Sequence, residues 1–117
     1  MKKKHVIIMG AGMAGKVAAR LLSEQFEKVT LVDPQPGKVF QSGQLHVLLA
    51  GGMKILQQHF PQTYKKLGET CPRIDWGGDS YWNSPVGLMP SKNNGVVTYT
   101  STRAYLGDLM YEELQHS

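Results

Sequence analysis

The chain has 117 residues and a mass of 13.0 kDa, which leaves room for one modest domain and little more. Its 41% hydrophobic and 19% charged residues are ordinary globular proportions and exclude a disordered or fibrous chain. The net charge of +4 owes much to Lys2, Lys3 and Lys4, and with no aromatic-interleaved basic stripe it speaks against nucleic-acid binding.

The first element is a short, nearly unbroken apolar run from His5 to Met9, the pattern of a parallel strand covered on both faces. Preceded by lysines, it has the outline of a secretory signal, but Lys16 and Arg20 interrupt the apolar core. Gly10-Ala11-Gly12-Met13-Ala14-Gly15 follows at once and matches G-x-G-x-x-G. Ala14, Val17, Ala18, Leu21 and Leu22 then recur at helical spacing, with Lys16, Arg20, Glu24 and Glu27 assigned to the solvated faces. A second strand, Val29 to Val32, ends on Asp33, 18 positions after Gly15. Strand, glycine turn, helix, strand and acid make a partial Rossmann-like βαβ unit in an α/β fold.

Each residue of the unit has a physical task. Gly10 permits a tight turn out of the strand, Gly12 clears the approach of a pyrophosphate, and Gly15 lets helix and strand pack closely. The N–H groups near Met13 and Ala14 have no partner inside the helix and sit at its positive end. Asp33 is placed to accept hydrogen bonds from an adenosine ribose and to repel a 2′-phosphate. The fingerprint by itself does not separate FAD from NAD.

Asp33-Pro34-Gln35-Pro36-Gly37 reads as a turn. Apolar spacing from Leu45 to Leu56 predicts a helix from about Gln44 to Gln58, broken at Phe60-Pro61, and a second from Gln62 to Gly68, with Gly68 as its C-cap. The lone Cys71 excludes an internal disulfide, fits a reducing, cytoplasmic setting and is read as structural. Arg73 to Trp76 and Tyr81-Trp82 are short strand candidates, and Asn94-Gly95 signals a hairpin between Val86–Met89 and Val96–Thr100. Ser101-Thr102 caps a final helix, Arg103 to Leu114. No run of about 20 apolar residues suggests a transmembrane span.

The glycine fingerprint, the segment Gln41-Ser42-Gly43-Gln44-Leu45-His46-Val47-Leu48-Leu49 and the helix start at Ser101-Thr102-Arg103 occur in this order. In this the chain resembles the N-terminal part of FAD-dependent monooxygenases and oxidoreductases of the para-hydroxybenzoate hydroxylase and squalene epoxidase type. The resemblance implies that Gly10, Gly12, Met13, Ala14 and Gly15 hold the FAD pyrophosphate, that Asp33 holds the adenosine ribose, and that Arg103 lies near the FAD. It also puts His46 on a helix facing the flavin, where ordinary packing is the competing reading. Two features depart from the family: Gly43-Gln44 stand where members often carry an arginine, and the second flavin motif, which members carry as a Gly-Asp segment near the far end of the nucleotide domain, is absent.

The chain is therefore expected to be a single incomplete FAD/NAD(P)-binding domain over residues 1–117. Its parts are the fingerprint over 1–33, helices over 44–68, antiparallel strands over 73–100 and a helix over 103–114. The expected function is the FAD-binding portion of a flavin-dependent oxidoreductase or monooxygenase, truncated and not catalytically complete alone. The implied partners are FAD, a small organic substrate, NAD(P)H as electron donor of the complete enzyme, and a second copy or partner chain completing the fold. His59, Cys71 and Asp79 form no catalytic constellation, and no His/Cys spacing suggests a metal. Two alternatives stand beside this reading: an NAD-binding oxidoreductase module, and a non-catalytic remnant acting through a partner chain.

Overall fold

β1 (Lys3–Met9), α1 (Met13–Leu22) and β2 (Phe26–Val32) form the βαβ unit in a computed structural model that describes residues 1–35 and 43–117. The strands run parallel, with Val6 opposite Val29 and Ile8 opposite Leu31. Pro36, Gly37, Gln41 and Ser42, which entered the sequence reading, lie outside the described residues. The apolar run of β1 predicts cover on both faces, and this is corrected. Val6 and Ile8 are half-buried, whereas Ile7 and Met9 on the alternate face are 58% and 78% exposed. Two strands and one helix leave the opposite face of the sheet open.

Leu45 to Val47 form strand β3, not the start of a helix. Helix α2 (Ala50–His59) begins only after Leu49, whose extended backbone (φ −67°, ψ 167°) serves as N-cap. The helical spacing of the leucines is overridden by a partner far along the chain. β3 pairs antiparallel with β7 (Val97–Thr102), Leu45 opposite Thr102 and Val47 opposite Thr100. β4 (Arg73–Asp75) takes the other edge of β7, giving a three-stranded sheet in the order β3-β7-β4.

The Asn94-Gly95 turn is also corrected. It leads into β7 with Gly95 at φ +76°, but it joins no hairpin with residues 86–89. The hairpin that does form pairs β5 (Asn83–Ser84) with β6 (Gly87–Leu88), turning at Pro85-Val86. Asp75 explains the difference: its carboxylate accepts hydrogen bonds from the N–H groups of Asn94 and Gly95 at 3.1 and 3.0 Å, drawing that loop onto β4.

Helix α3 (Pro61–Thr70) runs past Gly68, so Gly68 is not its C-cap. A Cβ there would stand 3.3 Å from the Tyr99 hydroxyl, and the missing side chain instead admits that ring. The N-terminus of α3 is capped from 50 residues away. Glu113 on α4 (Arg103–Gln115) accepts hydrogen bonds from Gln62 N–H, Thr63 N–H and the Thr63 hydroxyl. A carboxylate at a helix N-terminus also complements the helix dipole. α4 itself starts as predicted, with the Thr102 hydroxyl accepting from Tyr105 N–H at 3.1 Å. Leu56, Phe60, Leu67, Leu106 and Met110 form the core between α2, α3 and α4, with Val17 of α1 and the Cys71 side chain packed at its edge.

Candidate functional site

The site begins where β1 hands over to α1. Gly10 adopts φ +101°, a left-handed backbone that L side chains rarely take, and its N–H donates to Val32 O at 2.6 Å. A Cβ on Gly15 would run into the Gly10 carbonyl oxygen, so the turn closes only because Gly15 has none. The same absence brings α1 against β2, with the Leu31 side chain 3.6 Å from that position.

Gly12 differs from both. It is the N-cap of α1, in extended backbone at φ −69° and ψ −172°, and a Cβ on it would meet nothing within 4 Å. The first intrahelical bond runs from Lys16 N–H to Gly12 O at 3.0 Å. The N–H groups of Met13, Ala14 and Gly15 thus precede the helical ladder and need acceptors from outside the helix. No side chain caps this end and its first turn holds no acid. The arrangement is an anion cradle: open space, spare donors and the positive end of a dipole.

Asp33 stands beside it. One carboxylate oxygen accepts from Ala11 N–H at 2.9 Å and the other from Gln35 N–H at 2.8 Å. The Ala11 bond, then the Gln35 bond, hold its carboxyl below the usual range against the effect of burial, and the Lys16 charge adds to them. A carboxylate offers about four acceptor positions, so two remain for a ligand's hydroxyl groups.

A cleft of about 1420 Å³ opens along α1, β2 and α4, and Ala11, Gly12, Lys16, Asp33, Gly107 and Asp108 are in its lining. Of the expected site residues, Gly12 and Asp33 border it, and the turn and helix start at Gly10, Met13, Ala14 and Gly15 adjoin them. Arg103 is the first residue of α4, its N–H donating to Gln44 O at 3.3 Å, and it stands apart from the cleft lining. His46 lies on β3, not on a helix, and its Nδ1 donates to Gln44 O at 3.0 Å. Lys16 is the residue sequence reading misplaced. Assigned to a solvated face, it is only 8% exposed, because α4 lies across that side of α1. The buried Ala19, one turn on along the same face, is the local signal of that contact.

Among the described residues no cluster of His, Cys, Asp and Glu could hold a metal, and no helix is long and apolar enough to cross a membrane. Residues 5–77 match the family model described as FAD binding domain. The chain belongs to this family of FAD-binding domains. That match decides for FAD where the glycine fingerprint left FAD and NAD open, and the open cradle before α1 fits the pyrophosphate of such a dinucleotide. No curated protein matches the chain.

Among solved structures, a variant of 2-methyl-3-hydroxypyridine-5-carboxylic acid oxygenase superposes with a TM-score of 0.70 at 18% identity, over 99% of this chain and 30% of that one. A tetrameric form of the same oxygenase gives 0.68 at 18% identity, covering 98% and 29%. FqzB gives 0.67 at 13% identity, covering 96% and 26%. These likenesses establish the α/β fold, and the chain spans about 30% of the length of the first of these structures.

Proposed function

We propose that this chain is the FAD-holding part of a flavin-dependent monooxygenase of the para-hydroxybenzoate hydroxylase and squalene epoxidase type, working in the cytoplasm. Gly10, Gly12, Met13, Ala14 and Gly15 take the pyrophosphate, Asp33 the adenosine ribose, and Arg103 lies near the cofactor. The observation that carries this reading is the uncapped α1 N-terminus facing open space at Gly12, with the Asp33 carboxylate alongside. Bound FAD supplies the redox chemistry toward oxygen and a small organic substrate, with NAD(P)H as electron donor. The residues here bind and orient it.

Further protein surface completes such an enzyme. The radius of gyration is 17.1 Å, against roughly 13 Å for a compact chain of this length. Ile7, Met9, Trp82, Val86 and Leu88 are exposed, and they favour packing against a second copy or another chain.

The test is to purify the chain, add FAD, desalt it, and read flavin absorbance near about 450 nm together with NADPH oxidation. Weak FAD retention without NADPH-dependent oxygenation is the expected result. A monomer that keeps stoichiometric FAD and turns over NADPH overturns the need for further protein, and a chain that never binds FAD overturns the site.

Cofactor choice tests Asp33 separately. A 2′-phosphate would bring like charges together, so FAD and NAD should bind better than NADP. Asp33 is held deprotonated to lower pH than an ordinary carboxyl, so this preference persists on mild acidification and fades only as pH falls through its depressed pKa. Equal or tighter NADP binding at neutral pH removes the ribose role from Asp33.

A further inference from the structure

We propose that Lys16 is a cationic ligand of the FAD pyrophosphate, a role that rests on the FAD reading of the cleft. Lys16 is one helical turn beyond Gly12 and is 92% buried, yet it lines the same cleft as Ala11, Gly12 and Asp33. Its Nζ lies 3.4 Å from where a Cβ on Gly107 would stand, so the bare backbone of α4 makes room for the ammonium. Among the described residues it has no hydrogen-bond partner and no carboxylate at ion-pair distance. The charged groups facing it are Asp33 at the end of β2 and Asp108 and Arg103 on α4. Burial lowers its pKa most, Asp108 and Asp33 push it back up, and Arg103 lowers it further.

The Lys16 stem is packed, but its ammonium opens onto the cleft with no carboxylate at ion-pair distance among the described residues, and an unneutralised cation lining a cleft marks a candidate functional site. The cleft says which anion would relieve it. A helix terminus supplies about half a positive charge, too little for the two negative charges of a pyrophosphate. Lys16, one turn beyond that terminus, adds a full positive charge and offsets most of the rest. Asp33 leaves the ribose edge of the cleft unfavourable to a further phosphate, so the bridging pyrophosphate is the anion that fits.

The experiment compares the 117-residue chain with Lys16→Met, which keeps the apolar stem and removes the charge. FAD, ADP and adenosine are titrated calorimetrically at several salt concentrations. Affinity for FAD and ADP should fall by about 10- to 100-fold, with adenosine unchanged and the salt dependence shallower. Unchanged ADP affinity, or an equal loss for adenosine, overturns the proposal while leaving the FAD site standing. Failure of the unsubstituted chain to bind FAD or ADP overturns the FAD reading and this role with it. Removing an unpaired charge while keeping the packed stem should not harm folding. Should Lys16→Met nonetheless fail to fold, lysine-labelled NMR of the unsubstituted chain decides, with Lys16→Arg identifying the Lys16 signal. Saturation with ADP should raise its titration midpoint, and an unmoved midpoint overturns the role.

Discussion

Gly12→Val is expected to reduce FAD affinity by about 100-fold or more while the chain stays folded. The two halves of this expectation have separate causes. Gly12 lies in extended backbone that any residue adopts, and a Cβ on it meets no protein atom within 4 Å, so valine fits the free chain. In the proposed site, the open space at Gly12 beside the start of α1 is what the pyrophosphate would occupy, and the valine side chain takes it up. Gly12→Ser sharpens the test. Serine is a good N-cap, so it should raise the melting temperature slightly while its hydroxyl competes for the same donors and weakens FAD binding. Stability and binding then move in opposite directions, which unfolding cannot produce. Wild-type FAD affinity in both variants would reduce the glycine turn to a structural feature.

Asp75→Asn should produce the largest loss of stability, a fall in Tm on the order of 10 °C. Asp75 is 3% exposed, and its carboxylate accepts from four backbone N–H groups, those of Gly77, Gly78, Asn94 and Gly95. Asparagine has the same shape but turns an NH₂ toward donors that need an acceptor, and leaves buried N–H groups unpaired. The two loops that meet at Asp75 then lose their common anchor. Burial raises the Asp75 pKa, but the N–H groups of Asn94, Gly78, Gly95 and Gly77 together outweigh it, so the carboxyl is held below its ordinary value. A depressed folded-state pKa means that the contribution is complete at neutral pH and is lost as pH falls through that value. Thermal melts of both proteins from neutral to acidic pH should therefore converge. An unchanged melting temperature in Asp75→Asn at neutral pH would show that the loops are held elsewhere.

The βαβ unit was legible because its determinants are local. The Gly10 turn, the close packing at Gly15 and the helix that begins after Gly12 depend on residues within one turn of one another. The acid at the end of β2 is placed by the strand that carries it. The Thr102 cap is local too, its acceptor and donor three residues apart, and α4 starts where the sequence puts it. The glycine turn and Asp33 are also the residues on which the proposed dinucleotide site rests.

Tertiary structure decided the rest. Leu45-His46-Val47 has helical apolar spacing, yet becomes a strand because β7, more than 50 residues later, offers it a free edge. Asn94-Gly95 has hairpin chemistry, yet its N–H groups go to a carboxylate on β4. The α3 N-terminus carries no cap of its own and takes one from Glu113. Lys16 shows the limit most directly. An isolated α1 would leave it in water, and only when α4 lies across that helix, with Gly107 at the crossing, does its stem become buried while it lines the cleft. Backbone geometry and caps within a turn are written in neighbouring residues. The partner of a strand edge and the burial of a charge depend on elements distant in the chain, and no local pattern encodes their meeting.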